Sequence, residues 1–254
     1  MSKPKKLYKY EAFSVQSLKN LQSRTLYFGS PLNFNDPYDC AIRAKISEPT
    51  SSEIKVLQEF LYKDAETPDI TLGALKNSNN DNFNTLIKNL SDHRVRSYIN
   101  RNMKNIGVTC FSECNDDHLM WSHYADKQTG FCLEFDTSQK MFSQVRKVEY
   151  PDTYPEINAV NLLVHQKYGT CIDHLYIKSE SWEYEKEWRC IHPVAGTCCK
   201  YELNALTGIY FGPEISKDVL DIICLIIREQ HPNAKLWKGK RSQETFSIKF
   251  DLIE

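Results

Sequence analysis

Residues 181–189 read Ser181-Trp182-Glu183-Tyr184-Glu185-Lys186-Glu187-Trp188-Arg189. In extended backbone, successive side chains point to opposite faces. Taken as a strand, the stretch sets Glu183, Glu185, Glu187 and Arg189 on one face. Tyr184 and Trp188 then point the other way, with Lys186 between them. Three carboxylates on one face repel each other. Such a row is tolerated where it is well solvated, or where a cation, a substrate or a metal uses it. The aromatic residues predict a strand seated against an apolar core. The expectation is a polar working face on an apolar backing, with Arg189 placed to neutralise one carboxylate by a bidentate contact.

Outward from this stretch, the chain alternates irregularly between strand and helix signals. Leu7–Phe13 is rich in tyrosine and reads as a strand. Ser14 is a plausible N-cap for a short helix to Leu21. Thr25–Phe28 reads as a second strand, and Ser30–Asp39 as a shaped turn marked by Pro, Asn and Asp. Helical spacing of Ile54, Leu57, Phe60 and Leu61 opens a helical insert over 50–105, with Ser51 or Ser52 able to cap it. The polar run Lys76–Asn84 divides this insert and suggests a lid or a protein-binding arm. Strands are predicted at Val108–Ser112, Gly130–Asp136 and Lys147–Tyr150, with a short helix over Asp116–Ala125. In Gly130–Asp136, Phe131, Leu133 and Phe135 share a face. Ile157–Ile177 reads as a helix leading into the Glu-rich strand. Gly208–Gly212 reads as a strand, and Ser216 caps a helix to Glu229. Strands near Lys235–Trp237 and Phe246–Ile253 close the chain. Without a regular βαβ alternation, the expectation is an α+β fold. Its sheet is mixed, mainly antiparallel and split, with flanking helices, in a single domain over 1–254.

Composition narrows the function classes. With 254 residues, 41% hydrophobic and 26% charged, the chain reads as an ordinary globular protein. A formal net charge of -1 argues against a general nucleic-acid binder. The basic start, Met1-Ser2-Lys3-Pro4-Lys5-Lys6, has no apolar run behind it. The longest apolar run, Val219–Ile227, contains Asp221 and is too short to span a bilayer. The expected location is cytoplasmic, with no membrane partner. Among the nine cysteines no CxxC pair occurs. Cys110, Cys114 and His118 are spaced by four, but a second close pair for zinc is missing. Cys132, Cys190 and Cys224 lie in apolar segments and read as core.

Four constellations carry chemistry. Glu185 and Glu187 form an E-x-E pair. In Met120-Trp121-Ser122-His123-Tyr124-Ala125, Trp121 and Tyr124 share a helix face; Trp121 reads as core, while His123 and Tyr124 can line a cleft. Asn35-Asp36-Pro37-Tyr38-Asp39 holds two carboxylates that could bind a cation, but Asx capping is the commoner use and is favoured for Asp36. In Tyr8-Lys9-Tyr10, Lys9 points opposite to the two tyrosines and could clamp a phosphate.

Together these pieces resemble a bacterial family of unknown function. Its members share a Tyr-Lys/Arg-Tyr-like strand (here Tyr8–Tyr10), an FNDPYD turn (Phe34–Asp39) and a Cys-Phe-Ser strand (Cys110–Ser112). They also share a W-x-H-Y-A helix followed by glycine (Trp121–Ala125, Gly130) and a W-x-Y-E-x-E-W-R stretch (Trp182–Arg189). More distantly, the order resembles the ADP-ribosyltransferase layout. That resemblance implies an enzyme that uses NAD as its substrate, a transferase or NAD glycohydrolase, with a toxin or phage-defence effector as the expected role. It implies that Lys9 or Tyr10 holds the dinucleotide, and that Ser112 with Tyr124 supports the nicotinamide pocket. Glu187 would serve the nicotinamide ribose and Glu185 would orient the acceptor, a protein or nucleic acid. His123 and Arg189 complete the expected NAD-binding set, Arg189 as counter-charge. The pattern departs from the superfamily in two places: Lys9 stands where arginine or histidine is usual, and the middle motif is not a Ser-Thr-Ser.

Two other functions fit the same residues. Asp36, Asp39, Glu185 and Glu187 around Mg²⁺ would make a metal-dependent nuclease or phosphoesterase, although the carboxylate-x-lysine spacing is missing. A non-catalytic module would use the aromatic strands and the Glu face to bind a basic partner or small ligand, with protein contacts at the helical insert.

Overall fold

The first strand, β1 (Lys6–Glu11), lies inside an eight-stranded sheet between β5 (Phe131–Asp136) and β4 (Gly107–Ser112). The structure is a computed structural model that describes residues 2–41, 45–64, 67, 73 and 80–253. Beyond β4 the sheet continues through β8 (Glu187–His192) to the two-residue edge strand β6 (Arg146–Lys147). Beyond β5 it continues through β10 (Leu206–Phe211) and β11 (Lys235–Arg241) to β12 (Ile248–Leu252). Every pairing is antiparallel except β10 with β11. A mainly antiparallel sheet with helices outside it is the α+β architecture expected from the sequence.

Alternation divides the sheet into two faces. Leu7, Phe111, Phe131, Leu133, Phe135, Trp188, Cys190, Ile209 and Phe211 form one buried cluster. It is closed by Leu21 of α1 (Val15–Ser23) and by Ile223, Cys224 and Ile227 of α6 (Lys217–Gln230). Each large apolar side chain so buried contributes about 1.5–3 kcal/mol. The opposite face is aromatic and polar. There Tyr10, Cys132 and Tyr210 pack with Met120 and Trp121 of α4 (His118–Tyr124).

Local signals explain the helix starts. Ser14 caps α1 in a reciprocal box with Ser17, Asp117 caps α4, and Ser216 caps α6. α2 (Ser51–Lys63) is capped by Thr50 rather than by Ser51 or Ser52, because Glu53 at the third position completes a capping box with Thr50. α3 (Asn80–Asn105) begins inside the polar run expected to divide the insert, so Asn80–Asn84 is helical. Residues 76–79 of that run lie outside the described residues.

The largest departures from the sequence reading fall in two places. Glu180–Glu185 is a 3-10 turn and only Glu187–His192 is strand. Lys186, at φ 45°, makes the left-handed step between them, its N–H donating to the Glu183 carbonyl at 3.1 Å. The 3-10 turn breaks the period of two that a strand would impose. Glu183 is therefore exposed while Glu185 and Glu187 are buried, and the expected row of three carboxylates does not form. Ile157–Ile177 is not one helix. It is broken into a short π-helical turn (Val160–Val164), α5 (Gly169–Asp173) and a 3-10 turn (His174–Tyr176). Gln166 at φ 52° interrupts it. The expected strand Lys147–Tyr150 reduces to β6. Three short strands went unread: β9 (Thr197–Lys200), which pairs β2 (Thr25–Phe28), and β3 (Lys45–Ile46), which pairs β7 (Glu156–Ile157). None is long enough to show a period.

The chain divides into two compact units: Met1–Asn33 with Ile106–Tyr150 and Glu180–Glu254, and Phe34–Asn105 with Pro151–Ser179. The first contains the eight-stranded sheet. The second contains α2, α3 and the small β3–β7 pair. Among the described residues no helix is long and apolar enough to cross a membrane.

Candidate functional site

One register row crosses five strands on the polar face of the sheet. Glu187 stands opposite Ser112, Ser112 opposite Tyr8, Tyr8 opposite Glu134, and Glu134 opposite Gly208. Directly opposed residues share a face. The row therefore carries a buried carboxylate on β8 and another on β5, with Ser112 and Tyr8 between them.

At the β8 end, Glu187 and Arg189 sit two residues apart on the same strand face. Arg189 Nε and Nη2 donate to the two Glu187 carboxylate oxygens at 2.7 and 2.9 Å. The pair is buried, Arg189 at 0% exposure and Glu187 at 4%. Burial makes each charge dependent on the other. The Glu187 N–H donates to the Tyr150 hydroxyl at 2.8 Å. Cys110, opposite Arg189 in the register, lies beside this pair. Its thiol is pushed well up, first by burial and then by the Glu187 charge. It is not a poised nucleophile.

Glu185 is the second buried carboxylate, 2% exposed. The Tyr124 hydroxyl donates to it at 2.6 Å. The Ser112 hydroxyl donates to the Glu185 carbonyl at 2.6 Å, and the Cys114 N–H donates to the Ser112 oxygen. Tyr10 reaches the Cys114 carbonyl at 2.9 Å. β1, β4, α4 and the 3-10 turn thus meet through hydrogen bonds around Glu185.

Outside Tyr124 the surface is aromatic. His123 is exposed, and its ring lies 6.1 Å from Tyr124, 6.1 Å from Trp182 and 6.5 Å from Tyr184. Trp182 and Tyr184 are 6.0 Å apart and half-buried. This panel offers flat faces to a planar ring.

The structure brings together Tyr10, Ser112, His123, Tyr124, Glu185, Glu187 and Arg189 of the sequence-predicted set. It does not bring Lys9. Alternation sends Lys9 to the face of Leu7, where its amine lies 3.5 Å from Glu11. Of the Asp36 turn, Asp36 Oδ1 accepts the Tyr38 N–H at 2.8 Å, an Asx turn. Asp39 lies 3.6 Å from the buried amine of Lys178. Among the described residues no three His, Cys, Asp or Glu side chains are grouped to hold a metal ion.

Sequence reasoning missed Glu134. Its carboxylate accepts from Tyr210 at 2.7 Å, Thr207 at 2.7 Å and Tyr8 at 3.3 Å, and pairs with Lys6 at 2.8 Å. Burial pushes its carboxyl up, but the hydrogen bonds from Lys6, Thr207 and Tyr210 outweigh burial and hold it below the ordinary value. The same contact works in reverse on Tyr210, whose phenol is pushed far up by burial and then by Glu134. The available signal was one acidic residue inside the otherwise apolar run Phe131–Phe135.

A family model described as a protein of unknown function (DUF2971) matches residues 120–190. The matched segment holds His123, Tyr124, Glu185, Glu187 and Arg189, together with the aromatic panel. No curated protein and no solved structure matches the chain.

Proposed function

We propose that the chain is an NAD-using enzyme of ADP-ribosyltransferase type, working as a transferase or as an NAD glycohydrolase. The supporting observation is the Tyr124–Glu185 hydrogen bond at 2.6 Å beside the His123, Trp182 and Tyr184 rings. A planar nicotinamide would lie on the rings, and its ribose would face the carboxylate.

The chemistry follows from charge. The bond from the nicotinamide nitrogen to the ribose breaks, and nicotinamide leaves with the electron pair. Positive charge develops on the ribose, and a carboxylate hydrogen-bonded to a ribose hydroxyl stabilises it. Water, or a nucleophile on a protein or nucleic acid, then adds to the ribose and gives up its proton. Within this reading the ribose goes to Glu185 rather than to Glu187, the carboxylate expected from the sequence, because both Glu187 oxygens are taken by Arg189. Glu187, clamped by Arg189, holds the Lys186 turn that aims Glu185, and Ser112 fixes the same turn from β4. Tyr10 supports the Ser112 loop.

The test is nicotinamide release from NAD, followed by chromatography with and without cell-extract acceptors. Glu185→Gln should lower release by about 10²–10³-fold, the usual effect of removing one preorganised electrostatic group. Its far-UV circular dichroism should match that of the wild type. Full activity in a folded Glu185→Gln protein would remove Glu185 from the mechanism.

A second reading, a binding module without turnover, is favoured by the burial of both carboxylates. Saturable calorimetric binding of NAD with no nicotinamide released by the wild type would decide for it.

A further inference from the structure

The second unit contains a cavity of about 240 Å³ that the proposed NAD chemistry does not use. Arg94, Ser97, Tyr98 and Arg101 of α3 line it. Their spacing of three and four places them on one helix face. Phe60 of α2 and Leu162 and Leu163 of the π-helical turn give it apolar walls. Tyr168 closes one side, its ring stacked on Tyr98 at 5.1 Å and 17°.

A purely structural account covers part of this group. Val95, Ile99 and Met103 form the buried face of α3, and Arg94 makes an ion pair with Asp64 at the end of α2. Arg101 belongs to neither set. It is exposed and makes no salt bridge among the described residues. Arg101 lines the cavity together with rings, apolar side chains, the Ser97 hydroxyl, the Gln166 amide and the Arg94–Asp64 ion pair. With Asp64 balancing Arg94, the lining carries one positive charge beyond neutrality. A planar guanidinium beside a hydroxyl suits an oxyanion, and the Tyr98–Tyr168 stack suits a flat body. The volume lies below the 300–1,000 Å³ typical of drug-sized ligands, so the ligand is small.

We propose that this cavity is a ligand site for a small organic anion, a planar or apolar body bearing a phosphate or carboxylate head. The head contacts Arg101 and Ser97, and the body packs on Tyr98 and Tyr168. The proposal does not depend on the NAD reading, since every residue involved lies in the second unit.

The experiment is calorimetric titration of the full chain with phenyl phosphate, benzoate, inorganic phosphate and phenol. Saturable binding of phenyl phosphate or benzoate is expected, with phenol and inorganic phosphate weaker. Arg101→Ala should weaken the organic anion at least about tenfold, and Arg101→Lys should recover only part of that loss. Tyr168→Ala should weaken phenyl phosphate and leave inorganic phosphate unchanged. Glu185→Gln should bind as the wild type does. No saturable heat with any organic anion, equal binding of phenol, or an Arg101→Ala protein that binds unchanged would overturn the proposal. Loss of binding in Glu185→Gln would also overturn it, because the probe would then sit at the other site. Arg101 is exposed, so its replacement does not threaten folding.

Discussion

Arg189→Leu removes the bidentate partner of Glu187 and leaves a carboxylate at 4% exposure without its main counter-charge. Breaking a buried ion pair from one side costs about 3–5 kcal/mol, because the remaining charge is stranded away from water. Replacing both members by apolar residues of similar volume is often near neutral. The double variant Glu187→Met/Arg189→Leu should therefore recover much of the loss, with a coupling energy of about 2–3 kcal/mol. All four tryptophans lie in the sheet-containing unit, so tryptophan fluorescence in urea reports on this unit. In thermal melts the single variant should fall by about 2–4 °C for each kcal/mol lost. A single-variant loss below about 1 kcal/mol, or a double variant as unstable as the sum of the singles, would show that the pair is not coupled through burial. The contact would then be a surface-grade ion pair, and Glu187 could not be the clamp of the Lys186 turn.

Tyr124→Phe deletes the hydroxyl that donates to Glu185 while keeping the ring. Nicotinamide release should drop by about 10–100-fold, from the 1.5–3 kcal/mol range for a hydrogen bond to a charged group, and the urea midpoint should fall by the equivalent of about 1–3 kcal/mol because a buried carboxylate loses a donor. Glu134 gives a pH signature. Its carboxyl is held below the unfolded value of 4.5, so the stabilisation is complete above that value and is lost as pH falls through the folded value. The stability difference between the wild type and Glu134→Gln should shrink from pH 6 to pH 3; a constant difference would remove the assigned cause. Gly130→Ala would put a Cβ 2.3 Å from the Glu11 carbonyl oxygen and 3.0 Å from that of Ala125. Neither backbone atom can rotate away, so the loss should reach the upper part of the 1–3 kcal/mol range for overpacking, read from the urea midpoint.

Much of the fold was legible because its signals are local. Ser14, Asp117 and Ser216 each announce a helix by a side chain that satisfies free N–H groups within three residues. Phe131, Leu133 and Phe135 announce a strand by period two, and all three enter the core. The same rule failed at 181–189. Its alternation of charge and ring satisfied the pattern of a strand, but Glu180–Glu185 is a 3-10 turn, whose Trp182 and Tyr184 pack beside His123 of α4. No residue in that stretch marks Lys186 as left-handed. Glu134 was hidden for another reason. Its partners Lys6, Tyr8, Thr207 and Tyr210 are distant in sequence, and only strand order makes them neighbours.

The sequence by itself determined the α+β class, the Ser14 and Ser216 caps, the core strand Phe131–Phe135 and the residue types available for chemistry, all of which depend on spacings of a few residues. It also determined that Lys9 opposes Tyr8 and Tyr10, since strand alternation leaves no choice. Tertiary structure decided which groups meet. It set β1 beside β4 and β4 beside β8, so Tyr8, Ser112 and Glu187 fall in one row. It bound Glu187 to Arg189 and left Glu185 to Tyr124. Burial made that division, because a carboxylate withdrawn from water must take whichever donor the fold brings within hydrogen-bond reach.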